Sequence, residues 1–193
     1  MAMINRERKE LTAKVLLLGD GGVGKTTLRM RYMGKIPQSS YYATLGADFS
    51  YKEFKYYGFK VRFQIWDIAG QIHFRSMNRS FYQGASAAII LFDVTNRTTF
   101  ESVTSWLDEI HQMGRTRGNI PVVIIGNKID ARSGDGGGIS LQEGENLAKA
   151  LRGPMQKEIP YLETSALTSE KNVADAFDLI ANHYLNVKPA KEE

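Results

Sequence analysis

One segment constrains this chain more than any other: Gly19-Asp20-Gly21-Gly22-Val23-Gly24-Lys25-Thr26. It fits the pattern G-x-x-x-x-G-K-[ST]. An apolar run, Lys14–Leu18, precedes it, and a helix-compatible run, Thr27–Tyr32, follows it. The segment therefore reads as a strand, a tight loop and a helix. Its glycines allow positive φ and let the backbone wrap closely around an anion. The expected phosphate-contacting residues are Gly21, Gly22, Val23, Gly24, Lys25, Thr26 and Thr27, with the amides of 22–27 facing the phosphates at a helix N-terminus. The Lys25 ammonium would lie against the terminal phosphates, and the Thr26 hydroxyl would ligate Mg²⁺.

Beyond the loop, short β-rich runs alternate with helical periods. Phe49–Tyr57 and Val61–Trp66 flank Gly58 and predict a hairpin. Ala87–Phe92, Val122–Ile125 and Tyr161–Glu163 predict further strands. Thr98 with Glu101 predicts a capping box, followed by Phe100, Val103, Leu107 and Ile110 at helical spacing. Val173, Ala176, Phe177, Ile180 and Tyr184 mark a second amphipathic helix. This alternation, with one early hairpin, predicts an α/β fold whose sheet is parallel except at one edge. Such sheets bind ligands at the carboxyl ends of their strands.

The 193 residues suffice for one domain, read as 12–187 between an N-terminal tail (1–11) and a C-terminal tail (188–193). No apolar run approaches membrane-helix length, and the polar N-terminus lacks the apolar core of a secretory signal. The net charge is +4, but the basic residues are scattered, so no nucleic-acid partner is expected. Cysteine is absent, which excludes disulfides, cysteine-ligated zinc, thiol catalysis and any lipid attached to a cysteine of this sequence.

The phosphate loop does not choose a base. Asn127-Lys128-Ile129-Asp130, directly after an apolar run, does. The Asp130 carboxylate can accept from both N1–H and the 2-amino group of guanine, whereas adenine would leave it unpaired. Such mismatches typically cost a factor on the order of 10⁴–10⁵. Lys128 can lay its stem on the base, and Asn127 can brace the loop. Glu163-Thr164-Ser165-Ala166-Leu167 would complete the pocket through Ser165, Ala166 and Leu167, with the Ala166 amide toward the guanine O6. Asp67-Ile68-Ala69-Gly70-Gln71 ends a predicted strand opposite the phosphate loop. Asp67 suits the Mg²⁺ shell, the Gly70 amide can approach the γ-phosphate, and Gln71 can orient an attacking water. Thr44, within Tyr41-Tyr-Ala-Thr-Leu-Gly46, can reach both metal and γ-phosphate. Catalysis is thus expected from Gln71, Lys25 and Thr44.

Together these residues resemble the Ras superfamily of small GTPases, and most closely its Rab branch. The resemblance spans Lys14 to Leu185 and carries five ordered motifs: GDGGVGKT, Thr44 with Leu45-Gly46, WDIAGQ, NKID and ETSA. Rab-like marks are Ala47-Asp48-Phe49, Trp66-Asp67, Phe74-Arg75-Ser76-Met77 and Phe92-Asp-Val-Thr-Asn96, while Tyr42-Ala-Thr-Leu-Gly46 also looks like the Ran branch. The resemblance implies a P-loop NTPase fold, the Ras-like G domain, with a six-stranded sheet and helices on both faces. It implies GTP and GDP as substrate and product, and a nucleotide contact from Tyr41. Thr44 would join Thr26 on Mg²⁺, with Asp67 acting through water. Phe49, Trp66 and Phe81 match an effector-facing aromatic cluster, and ordinary sheet packing explains them equally well. A monomeric, cytoplasmic switch follows, hydrolysing GTP slowly and served by effectors, exchange factors and activating proteins. Membrane association would run through partners or through a tail removed from this chain. No arginine finger is evident in cis, which costs on the order of 10³–10⁵ in rate and calls for an activating partner, a figure drawn from this same superfamily.

Two departures stand out. Gln71-Ile-His-Phe74 replaces the usual Gln-Glu-Arg-Phe, and together with Pro37 it keeps open a second function, a GTPase fold that binds without turnover. An ATPase is disfavoured by Asp130. Pro37 stands where many relatives place an aromatic residue edge-on to guanine. Replacing Pro37 by Phe is expected to slow GDP release, measured by displacement of a fluorescent GDP analogue; an unchanged off-rate would remove this position from control of exchange.

Overall fold

The structure is a computed structural model and describes residues 2–36, 44, 46–70, 79–113, 120–133, 137–151, 158–169 and 171–185. Its strands are β1 (Met3–Asn5), β2 (Glu10–Leu18), β3 (Ala47–Tyr56), β4 (Phe59–Ile68), β5 (Ala87–Asp93), β6 (Val122–Asn127) and β7 (Tyr161–Thr164). Its helices are α1 (Lys25–Tyr32), α2 (Arg79–Tyr82), α3 (Arg97–Glu101), α4 (Val103–Met113), α5 (Leu141–Ala150) and α6 (Lys171–Leu185).

Six strands run in the order β3-β4-β2-β5-β6-β7, parallel throughout except for the antiparallel β3–β4 hairpin at one edge. The predicted architecture stands, with one correction: among the described residues the sheet has seven strands, not six. β1 pairs antiparallel with the start of β2, Met3 opposite Thr12 and Asn5 opposite Glu10. Pairing therefore reaches into the segment read as an N-terminal tail; its own residues are exposed and offered no apolar periodicity to predict it. The stretch 188–193 lies outside the described residues.

Alternation along the strands builds two cores. Leu11, Ala13, Val15 and Leu17 of β2 face one side with Ala87, Ile89 and Leu91 of β5, where Leu28 and Tyr32 of α1 and Phe177 and Ile180 of α6 cover them. Leu16, Leu18, Ala88, Ile90 and Phe92 face the other side, covered by Val103, Trp106 and Ile110 of α4 and Ala148 of α5. Burial on both faces explains why β5 reads as an unbroken apolar run rather than an alternating one. Leaving β2, the chain first builds β3 and β4 on one side and then crosses to β5 on the other. The loop after β2 thus sits where the strand order reverses, the place such sheets reserve for ligands.

The β3–β4 hairpin turns through Tyr57 and Gly58, both at positive φ, as a two-residue turn matched to strand twist requires. The predicted helix after β5 begins earlier than its supposed cap. Asn96, in extended backbone, is the N-cap, and its side chain accepts from the Thr98 amide at 3.1 Å; Thr98 is already inside α3. Asn96 gets there first because its backbone is extended and its side chain reaches an amide two residues on, which a capping-box pattern starting at Thr98 overlooks. A true capping box forms at α5, between Ser140 and Glu143.

Tyr161 of β7 leans on the face of α5. Its ring stacks on Phe92 with centroids 6.2 Å apart, and its hydroxyl donates to Glu163 Oε1 at 3.0 Å. A Cβ built on Gly144 would lie 2.1 Å from the Tyr161 ring. Helical Gly→Ala normally stabilises by up to ~1 kcal/mol, but forcing atoms into a packed site costs ~1–3 kcal/mol. Gly144→Ala is therefore expected to lose stability by about 1–2 kcal/mol in urea denaturation at saturating GDP; a stabilised variant would show that Tyr161 moves aside freely.

Candidate nucleotide-binding site

Helix α1 opens without a side-chain cap: Gly24 is its N-cap, at φ 100°, and no acidic residue stands in the first turn. The first-turn amides are thus left to an anion. Gly24 is forced twice over, since its φ is left-handed and a Cβ there would lie 2.2 Å from Asn127 Nδ2. Lys25 folds back across the loop, and its ammonium donates to the Gly19 and Asp20 carbonyl oxygens, each at 2.8 Å. Burial pushes the Lys25 ammonium down to about 8, against the pull of Asp67 and Asp20. A cation so poorly solvated gains from an approaching polyanion.

Thr26, Thr44 and Asp67, proposed separately from the sequence, meet in one place. The Thr26 hydroxyl donates to Asp67 Oδ2 at 2.6 Å, and Thr44 Oγ1 lies 3.0 Å from Thr26 Oγ1. Asp67 is fully buried, and its Oδ1 has no hydrogen-bond partner. Burial pushes its carboxyl up, while Thr26, Lys25 and Arg29 pull it back toward the ionised form. Gly70 packs directly on the phosphate loop, where a Cβ would come within 2.3 Å of the Gly19 carbonyl oxygen. The Ala69 amide donates to the Gly46 carbonyl at 2.8 Å, so the chain after Thr44 and the chain before Gly70 are held side by side. Tyr41, Pro37, Gln71, His73 and the 74–77 segment lie outside the described residues.

Asn127 joins the base-recognition loops to the phosphate loop. Its Nδ2 donates to the Val23 carbonyl at 2.7 Å, and its Oδ1 accepts from the Ala166 amide at 2.9 Å. The bracing role read from the sequence is thus explicit, and the Ala166 amide, expected to face guanine, donates to Asn127 instead. Lys128 is left-handed at φ 69° and reaches Asp93 Oδ2 at 2.7 Å. Burial opposes ionisation of Asp93, yet its bonds to Lys128 and Thr95 outweigh it and hold the carboxyl below its ordinary range. Asp130 is exposed within the short 3₁₀ turn Ile129–Ala131, Ser165 is buried, and Leu167 is half exposed.

Several functional-site contacts had no readable signal. Arg132 clamps Glu163 through two bonds, at 3.0 and 2.5 Å, linking the loop after β6 to strand β7. Arg31 of α1 donates to the Ala166 and Leu167 carbonyls. The Trp106 indole N–H donates to Asp20 Oδ1 at 2.8 Å, tying α4 to the phosphate loop. The partners are far apart in sequence, and although Asp20, Glu163 and Ala166 sit in motifs, Trp106, Arg132 and Arg31 belong to none.

The strand reversal, the uncapped helix after a glycine loop and the joined loops after β6 and β7 define a doubly wound nucleotide-binding domain. The Ras family profile matches residues 14–186. The chain is 42% identical over 187 residues to the GTP-binding protein YPTC5 of Chlamydomonas reinhardtii, covering 96% of this chain and 88% of the relative. It is 41% identical over 189 residues to the Ypt/Rab-type GTPase YPT7 of Saccharomyces cerevisiae, and 40% over 191 residues to the Ypt/Rab-type GTPase avaA of Emericella nidulans, with the same coverage. The chain belongs to the Ras family, in its Rab branch: it is a small GTPase that binds GTP and GDP and hydrolyses GTP. Binding without turnover is therefore not the favoured function. The family is one that works with effectors, exchange factors and activating proteins.

Asn127→Asp keeps the acceptor for Ala166 but turns the donor to Val23 into an acceptor in a buried place. An unmade buried hydrogen bond costs ~1–3 kcal/mol, so GDP is expected to leave on the order of ten- to a hundredfold faster in stopped-flow release. An unchanged rate would strip the bridge of its role.

Proposed function

We propose that the chain is a Rab-type switch in intracellular membrane trafficking, with the nucleotide motifs in the roles their chemistry suggests. The observation that carries this reading is the meeting of Thr26, Thr44 and Asp67, a buried carboxylate whose Oδ2 accepts from Thr26 and whose Oδ1 is unpaired. Two hydroxyls and a carboxylate are a hard-oxygen donor set of the kind Mg²⁺ takes, with the remaining positions filled by water and phosphate. These residues fit the ion: Thr26 and Thr44 would hold it directly and Asp67 through water. Mg²⁺ there would neutralise charge on the β- and γ-phosphates.

The protein's own residues do the rest. Amides 22–27 bind the phosphates, and Lys25 exchanges its two carbonyl contacts for phosphate oxygens. Asp130 selects guanine, Lys128 covers the base, and Ser165, Ala166 and Leu167 wall the pocket. Thr44 couples its own loop to the third phosphate, so hydrolysis releases that loop. Gly70 offers its amide to the γ-phosphate, and Gln71 orients the water. Tyr41 would add a nucleotide contact.

The candidate partner surface is Phe49, Trp66 and Phe81. Phe49 stacks on Trp66 at 5.4 Å between centroids, and Trp66 meets Phe81 at 6.0 Å. Phe49 is 52% exposed, more than a packing role in the sheet requires. The Lys14 ammonium sits 4.0 Å from the centre of the Trp66 ring and donates to the Gln83 carbonyl, which holds the indole in place from beneath. Among the described residues, no helix is long and apolar enough to cross a membrane.

Single-turnover phosphate release from Mg²⁺·GTP tests the reading. Gln71→Leu is expected to keep GTP affinity and lose hydrolysis by on the order of 10²-fold, the cost of a misplaced nucleophile. Full residual turnover would remove Gln71 from the mechanism.

A further inference from the structure

Arg29 stands on α1, one turn beyond Lys25, and its side chain is only 12% exposed. Its guanidinium is divided between two strands. One terminal nitrogen donates to Asp48 Oδ2 at 2.5 Å and the other to Ser50 Oγ at 2.8 Å, both on β3. Its Nε lies 3.8 Å from Asp67 Oδ2 on β4. Nε is buried without a hydrogen-bond partner, as is Asp67 Oδ1. The Asp48 side chain is 58% exposed and that of Asp67 is fully buried. Water screens the first attraction far more than the second, so the fixed positive charge is felt mainly at Asp67.

We propose that Arg29 is a resident cation of the metal site, which weakens the hold of Asp67 on Mg²⁺ and makes retention of GDP less dependent on that ion. The proposal rests on the assignment of Thr26, Thr44 and Asp67 to Mg²⁺. Two consequences follow from charge alone. With Mg²⁺ present, the guanidinium repels the ion and shares the carboxylate with it, so more ion is needed to fill the site. With Mg²⁺ removed, the guanidinium still balances Asp67 against the phosphates, so GDP is expelled less strongly. Lys25 is a second cation beside Asp67, but its ammonium is directed at the Gly19 and Asp20 carbonyls. Arg29 faces the carboxylate from the opposite end of the first helical turn.

The test is a Mg²⁺ titration of the release rate of N-methylanthraniloyl-GDP from the full chain, with an EDTA limit. In Arg29→Met, the Mg²⁺ concentration that half-suppresses release is expected to fall about tenfold, the effect of removing one charge at contact distance in a partly screened site. Acceleration by EDTA is expected to grow in the same variant. Arg29→Lys, which keeps the charge, should return both values toward the parent, which a packing role would not require. Asp48→Asn removes the competing exposed carboxylate, turns the guanidinium toward Asp67 and should raise the Mg²⁺ requirement. This surface variant carries the test alone if Arg29→Met does not fold. An unchanged or higher Mg²⁺ requirement in Arg29→Met, or an unchanged or lower one in Asp48→Asn, overturns the proposal. If release from the parent protein ignores Mg²⁺, the metal assignment itself fails and this proposal falls with it.

Discussion

The site depends on one primary amide. Asn127 donates to the loop after β2 and accepts from the loop after β7, while its own backbone ends β6. Three strand ends are thereby held in one relative position by a group that is 2% exposed. A side-chain amide suits this, because one of its ends gives a proton and the other takes one. Buried backbone groups left without such partners cost more than the bond itself contributes, so the bridge sets both the shape of the site and its rigidity. The arginine clamp between Arg132 and Glu163 adds a second link, from the loop after β6 to strand β7.

Around this frame the charges are ordered by depth. Lys25 and Asp67 are both nearly inaccessible and of opposite sign, one on each side of the phosphate position implied by the loop. Each is unfavourable alone, since burial disfavours the charged form of both. A metal–phosphate complex answers both at once, supplying anion to the lysine and cation to the carboxylate.

Much of the fold was legible because both local signals agreed. Each central strand appeared as an apolar run, and Gly58 marked the hairpin. What escaped was set by partners distant in sequence or by competition between neighbours. β1 is exposed on every residue and exists only because β2 runs past it. Asn96 displaced Thr98 as the cap because its backbone is extended and its side chain accepts from the Thr98 amide, which the capping-box pattern starting at Thr98 does not register. In the site, Thr26, Thr44 and Asp67, taken from three separate motifs, lie together. They could not reveal that Arg29, Arg132 and Trp106 act on those motifs from other elements, since a motif records what touches the ligand and not what holds it. Arg29 in particular reads as one more helix-surface arginine until β3 and β4 are laid beside it.

The bond from the Trp106 indole to Asp20 gives the molecule an internal optical reporter. The chain has two tryptophans, and the fold assigns them different neighbourhoods. Trp106 is buried against the phosphate loop, with its ring nitrogen on a carboxylate of that loop. Trp66 lies on the aromatic edge between Phe49 and Phe81, with an ammonium over its face. Tryptophan emission from this protein is therefore the sum of two separate signals. One is sensitive to charge arriving at the loop, and the other to whatever covers the edge. The apparatus for watching nucleotide and partner independently is already written into the sequence, with no added dye.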